Sequence, residues 1–148
     1  MASITLTLTG PGITTPLTKT ISKFRGKEFV RSYLHEAKLS DSYNGNGIVA
    51  GPSYASKYLW TVNAFFSDPL TSFQDVADLF WMYENWERLR TSYPGVVPNF
   101  VLSNDTTPPN FLGGRGFLVA FQTAPNSNFV GDNSYEVKFI LKQLKEIL

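Results

Sequence analysis

The feature that most constrains this chain is an alternation of apolar with mostly polar side chains in several short runs. Ile4, Leu6 and Leu8 alternate with threonines near the N-terminus, and every second residue from Tyr58 to Phe66 is apolar. Side chains repeat every two residues along a β-strand, so each run predicts a strand with one buried face. Strands are predicted at residues 4–9, 17–24, 57–66, 97–102, 116–123 and 135–141. The lysines of 17–24 indicate an edge strand.

Turn-forming residues, rather than crossover helices, separate nearly all of these runs, so most strand pairing is expected to be antiparallel. The chain has 148 residues, which falls within the size range of one domain. Segment 28–39 fits the spacing of either a strand or a helix, and we favour a strand. Segment 40–56 is rich in Ser, Asn and Gly and predicts a long loop, a kind usually functional or disordered.

One segment, 72–90, has helical periodicity instead. Thr71 and Gln74 have the spacing of a capping box at its start, and the Tyr-Pro-Gly sequence at 93–95 is expected to end it. At 100° per residue, one face gathers six apolar side chains that we expect to lie on the sheet; they are Phe73, Val76, Leu79, Phe80, Tyr83 and Trp86. Truncation of a buried Phe80 to alanine is expected to cost about 3–5 kcal/mol.

The predicted fold class is therefore α+β and mainly β, a single domain over 1–148. Its architecture is an antiparallel β-sandwich or small barrel with one amphipathic helix packed across it.

Composition excludes several classes of function. The net charge is +1, too small for a concentrated basic field, so neither specific nucleic-acid binding nor an anionic membrane surface is expected. The chain has no cysteine, which excludes disulfides, thiolate catalysis and cysteine-ligated metals. Residues 1–8 alternate like a strand and lack the basic and apolar regions of an export signal, and no run is long enough to span a membrane.

The sequence contains few candidate catalytic residues. His35 is the only histidine, so a triad or a histidine metal site would depend on it alone. The carboxylate pairs Asp75/Asp78 and Glu84/Glu87 have i,i+3 spacing, but a solvated helix face explains them better. The Gly-Gly-Arg-Gly sequence at 113–116 lacks the ending of a phosphate loop and leads into a strand. We therefore expect no enzyme, no cofactor and no metal site.

The order of elements resembles a known fold. An N-terminal strand, a long polar loop, the strand Tyr58-Leu59-Trp60-Thr61-Val62, a capped helix and an alternating terminal strand at 135–141 are similar to the tail-tube fold of bacteriophage tail-tube, distal tail, minor tail and baseplate ring proteins. The resemblance implies a structural subunit of a ring, commonly a hexamer, in a phage tail or a tail-like assembly. Its partners would be copies of itself and other tail proteins, and its location the virion, assembled in the host cytoplasm.

Residues left outside the predicted core are candidates for contacts between subunits, either because they are apolar without a place in the core or because they lie on an edge or a loop. They are Lys23, Arg25, Tyr43, Ile48, Val49, Tyr54, Trp81, Met82, Leu89 and Arg115. For Trp81, Met82 and Leu89, the alternative is that segment 104–114 folds over them. The alternative function is a monomeric β-sandwich ligand-binding module, such as one for carbohydrate, with loop aromatics as stacking platforms.

Segment 40–56 generates a prediction of its own. Its composition buries too little apolar area to offset the entropy of ordering it. We therefore expect its amides to gain protection from hydrogen exchange only in an assembly, with Tyr43, Ile48, Val49 and Tyr54 as anchors. Hydrogen exchange measured on the monomer and on the assembly tests this, and equal protection in both would contradict it.

Overall fold

The computed structural model describes residues 3–13, 17–24, 30–34, 38–41, 47–50, 57–106 and 112–146. Nine strands and one helix lie within these ranges. They are β1 (Ile4–Thr9), β2 (Leu17–Ile21), β3 (Val30–Leu34), β4 (Lys38–Asp41), β5 (Gly47–Ala50), β6 (Lys57–Phe66), α1 (Ser72–Ser92), β7 (Asn99–Asp105), β8 (Leu112–Gly131) and β9 (Ser134–Glu146).

Seven of the described strands form one antiparallel sheet, in the order β2-β1-β7-β8-β9-β6-β3. The other two, β4 and β5, form a separate two-stranded antiparallel ribbon. The prediction of a mainly β domain with a single helix on an antiparallel sheet is confirmed. The sheet is not closed into a barrel, and β2 occupies one of its edges, as the lysines of that run predicted.

The sheet curls strongly around its concave face. The chain leaves β2 at one edge and, two residues later, pairs with the far side of β6. There the N–H of Phe65 donates to the carbonyl of Lys23 at 3.0 Å, and Phe24 forms a bridge with Ala64. The described segment 17–24 thus changes partner from β1 to β6 at a corner, and β3 pairs with residues 57–61 of the same strand β6. Such corners are made where a strand bends from one sheet direction to another.

The core fills the concave face and follows from the predicted alternation. Ile4, Leu6 and Leu8 are fully buried, while the threonines between them are half-buried on the other face. Phe121 of β8 lies at the centre of an aromatic cluster. Its ring centroid is 4.9 Å from that of Phe100, and four rings of the sheet and the helix surround it: Phe100, Phe139, Tyr83 and Trp86.

The helix covers the concave face, but not with the predicted set of residues. Its buried apolar side chains are Leu79, Met82, Trp86 and Leu89, with Val76 and Tyr83 partly buried beside them. The face that these six residues form is turned about the helix axis by roughly 60° from the predicted one, at 100° per residue. Phe73 is 74% exposed and Phe80 only half-buried, so both assignments to the sheet face are wrong, as is the placement of Met82 and Leu89 outside the core.

A close approach at the end of the helix explains this setting. A Cβ atom added at Gly10 would lie 2.9 Å from Cδ1 of Leu89, so glycine at this position leaves room for the leucine. α1 is apolar on two faces, and hydrophobicity alone does not choose between them. The shape of the concave surface does, because it accepts Leu89 and Met82 and leaves Phe73 outside.

The helix begins at Ser72, as predicted, but without a capping box. The side chain of Thr71 makes no capping hydrogen bond, and the amide of Gln74 donates to Asp78 instead. The carbonyl of Asp68 takes over part of this role by accepting the backbone N–H of Ser72 at 2.8 Å. The helix ends before Tyr93, whose N–H donates to the carbonyl of Leu89, in agreement with the predicted stop.

Two connecting segments contain more strand than predicted. The expected loop at 40–56 includes the end of β4 and all of β5. The strand interpretation of 28–39 is confirmed for its described residues 30–34 and 38–39. β8 runs from Leu112 to Gly131, well beyond the predicted 116–123. It ends in a two-residue turn in which Asp132 and Asn133 have φ angles of 47° and 60°, the left-handed geometry of a tight hairpin.

The aromatic cluster gives a test of the core. We expect Phe121→Ala to lower the free energy of unfolding by about 3–5 kcal/mol, because it removes a buried ring and leaves a cavity. The matched control Phe73→Ala removes an exposed ring and should change that free energy by less than about 0.5 kcal/mol. Urea denaturation measures both, and equal losses in the two variants would show that the helix is set differently.

Candidate functional site

The most distinctive surface of the described structure is the face of α1 turned away from the sheet. Phe73, Ala77, Phe80 and Trp81 follow the spacing of one helix face, and Leu70 precedes them in the turn before the helix. We call these five residues the outer helix stripe. Leu70 is 92% exposed, Phe73 74% and Trp81 58%. Contiguous apolar surface of this kind on a protein commonly marks an interaction site.

The setting of the helix creates this stripe. Because Leu79 and Met82 occupy the concave face of the sheet, the residues on the opposite side, including Trp81, must point outward. The alternative that a loop covers Trp81 does not hold, since its side chain remains exposed. The stripe therefore results from the packing of the core.

A buried polar network closes one end of the curled sheet. The carboxylate of Asp105, which is fully buried, accepts a hydrogen bond from Nη1 of Arg31 at 2.7 Å and one from the indole Nε1 of Trp60 at 2.9 Å. These residues belong to β7, β3 and β6, and two strands separate β7 from β6 in the sheet. Adjacent strands lie about 4.8 Å apart, so these bonds span the concave side only because the sheet curls.

Arg115 lies beside this network and has partners of its own. Its guanidinium donates two hydrogen bonds to the carboxylate of Glu146, at 2.6 and 2.8 Å, and lies 5.2 Å from the centroid of the Phe117 ring. The hydrogen bonds raise the pKa of Arg115 and hold the pKa of Glu146 below its usual value. Any stability from this pair is therefore lost as the pH falls through the lowered pKa of Glu146. Arg115 was predicted to contact another subunit; its guanidinium is bound to Glu146 of the same chain.

The edge strand β2 is tied to the helix by charge. Nζ of Lys19 lies 2.6 Å from Oδ1 of Asp75 and 3.2 Å from Oδ2 of Asp78. The two carboxylates thus hold a lysine between them, which supports a structural reading of their i,i+3 spacing.

The structure separates the predicted contact residues into groups. Trp81 is exposed on the outer helix stripe, whereas Met82 and Leu89 are buried in the core and are wrong as contact residues. Lys23 is exposed and lines a polar hollow of about 220 Å³ together with Asp68 and Asp75, whose charges offset its own. Ile48 and Val49 lie on β5, of which only the backbone is described; Arg25, Tyr43 and Tyr54 lie outside the described residues.

The described residues offer few features of a metal site, a catalytic site or a phosphate-binding loop. Within the described ranges, no group of three or more His, Asp or Glu side chains is arranged to hold a metal ion. His35 falls outside those ranges. The Gly-Gly-Arg-Gly sequence lies inside β8 and not, as predicted, ahead of a strand. In the described part of the chain, no helix is both long enough and apolar enough to cross a membrane.

Sequence reasoning missed two features of this surface. No role was predicted for Leu70 from the sequence, although an apolar residue three positions before another, Phe73, is a signal that the sequence contains. The pairing of Arg31 with Asp105 joins residues 74 positions apart, and such a pair leaves no local pattern in a sequence.

The buried network gives a second test. We expect Asp105→Ala to lower the free energy of unfolding by about 3–5 kcal/mol, because Arg31 would remain buried without its carboxylate. Replacing both partners, as Asp105→Leu with Arg31→Met, should recover much of this loss. Urea denaturation of the single and double variants measures the difference. A single variant as stable as the native chain would contradict the network's role.

Comparisons with known proteins add no family to this description. No family model matches the chain, and no curated protein matches it significantly. Its function has to be argued from the fold and surface of the chain itself.

Proposed function

We propose that this chain is a structural subunit of an oligomeric ring in a phage tail or a phage-tail-like assembly, and that it acts by protein–protein association. The observation that carries the proposal is the outer helix stripe, with Leu70, Phe73 and Trp81 all more than half exposed. Apolar surface gains about 25 cal/mol per Å² when it is removed from water. A partner of matching shape would therefore be bound through this face.

One edge of the sheet supports the same proposal. In the described structure the edge strand β2 pairs with one neighbouring strand, and the outer edge of such a strand carries backbone groups suited to pairing with another chain. The order of elements that resembles the tail-tube fold gives the assembly its proposed form, a ring.

The character of the stripe favours protein over carbohydrate as its ligand. Sugar binding pairs an aromatic ring with polar groups that fix the hydroxyls, because small-ligand sites combine apolar walls with a few placed polar groups. The other residues of the stripe, Leu70, Ala77 and Phe80, are apolar. Glu84 and Asn85 lie one helical turn beyond Trp81, and the side-chain N–H of Asn85 already donates to the carbonyl of Trp81. Tryptophan, by contrast, is enriched among the residues that dominate protein interfaces.

Replacement of Trp81 by glutamate tests the proposal. Trp81→Glu places a charge in the stripe, and the loss of a dominant interface tryptophan is expected to cost about 2 kcal/mol or more, about a 30-fold weakening for each contact. Sedimentation velocity should show assemblies of the native chain and a folded monomer of the variant. Circular dichroism checks the fold.

The matched control is Ser127→Glu, which adds the same charge at an exposed position of the β8–β9 hairpin. It should assemble like the native chain. Unchanged assembly of Trp81→Glu would remove the stripe from the interface, and a native chain that stays monomeric at all concentrations would contradict the proposed function.

A further inference from the structure

An apolar hollow lies at the C-terminal end of α1. It has a volume of about 190 Å³ and is lined mainly by Pro11, Leu89, Tyr93, Val96, Val97 and Pro98. Val96 and Val97 are 63% and 54% exposed, so the rim of the hollow is open to solvent. Its residues come from the β1–β2 turn, the end of the helix and the segment before β7.

A projecting apolar tip lies at the other end of the same helix. Leu70 and Phe73 are the two most exposed large apolar side chains of the described structure, at 92% and 74%. The tip is rigidly held, because the N–H of Leu70 donates to Oδ1 of Asp68 at 2.9 Å and Phe73 lies in the first turn of the helix. A helix of about 20 residues is about 30 Å long, so a chain does not reach its own hollow with its own tip.

The tip and the hollow match in size. An apolar cavity of about 150 Å³ holds a benzene molecule, so a hollow of about 190 Å³ accepts a phenyl ring or a leucine side chain.

The two ends also match in charge. Among the described residues, three aspartates and two lysines lie near the tip. Two arginines, one lysine and one glutamate lie near the hollow. These residues are Asp68, Asp75, Asp78, Lys19 and Lys23 at the tip, and Arg88, Arg90, Lys145 and Glu87 at the hollow. Charges of opposite sign steer such surfaces together and set their register.

We propose that the Leu70–Phe73 tip of one copy inserts into the apolar hollow of the next copy. This inference rests on the proposed function and specifies its contact. The contact is heterologous, because it joins two different surfaces of the same chain. Contacts of this kind form a ring when the rotation between copies closes and an open filament when it does not. Each copy in a closed ring then has its hollow filled and its tip covered.

Disulfide cross-linking tests the inference, and the absence of native cysteine leaves the result free of background. A disulfide requires Cα atoms closer than about 7 Å. In the double variant Leu70→Cys with Val96→Cys, it should therefore form between neighbouring copies. Both side chains are exposed, so the substitutions should leave the fold intact. Oxidation should give a ladder of covalent oligomers on a non-reducing gel.

The matched control carries Leu70→Cys with Ser127→Cys, which moves the second thiol from the hollow to the exposed β8–β9 hairpin. It should give no ladder. A ladder in both double variants would indicate random collision and contradict the inference. Assembly of the native chain without a ladder in the first variant would also contradict it, while leaving the proposed function in place. A native chain that remains monomeric in sedimentation would contradict both.

Discussion

The curl of the seven-stranded sheet around its concave face is the constraint from which the other features follow. Two interactions hold it: the corner where Phe24 joins β6, and the bonds that Arg31 and Trp60 make to Asp105 across strands that are not neighbours. Once the sheet is curled, its concave side has room for one helix. The face of α1 that fits is the one carrying Met82 and Leu89. The exposed stripe on the opposite face follows from that fit.

Charged pairs fasten the edges of this arrangement, while apolar packing fills its centre. Lys19 joins the edge strand β2 to the start of the helix, and Arg31 joins the opposite edge strand β3 to β7. The second pair is the more consequential one, because its side chains are almost fully buried and loss of one partner would leave a buried charge. The two edge strands are thereby fastened to the helix and to the middle of the sheet.

Much of the fold was predictable because local patterns determine it. The alternation from Tyr58 to Phe66 predicts β6 to the residue, and the turn residues around 72–95 place the helix. The rotation of the helix was not predictable, since Phe73 and Met82 give it apolar residues on both sides. The full length of β8 could not be predicted, because its bulges interrupt the alternation of apolar and polar residues by which a strand is recognised. On the surface, the position of Trp81 outside the core was predicted from the sequence. The apolar hollow was not predicted, because its lining residues come from three separate segments of the chain.

The central claim is that the outer helix stripe becomes covered when copies associate, and tryptophan fluorescence tests it most directly. Of the three tryptophans, Trp60 and Trp86 are buried and Trp81 is exposed, so iodide quenching of the monomer should report on Trp81. As the protein concentration is raised and sedimentation shows assembly, this quenching should fall to the level of the buried pair. Quenching that stays constant while the particle mass increases would contradict the account.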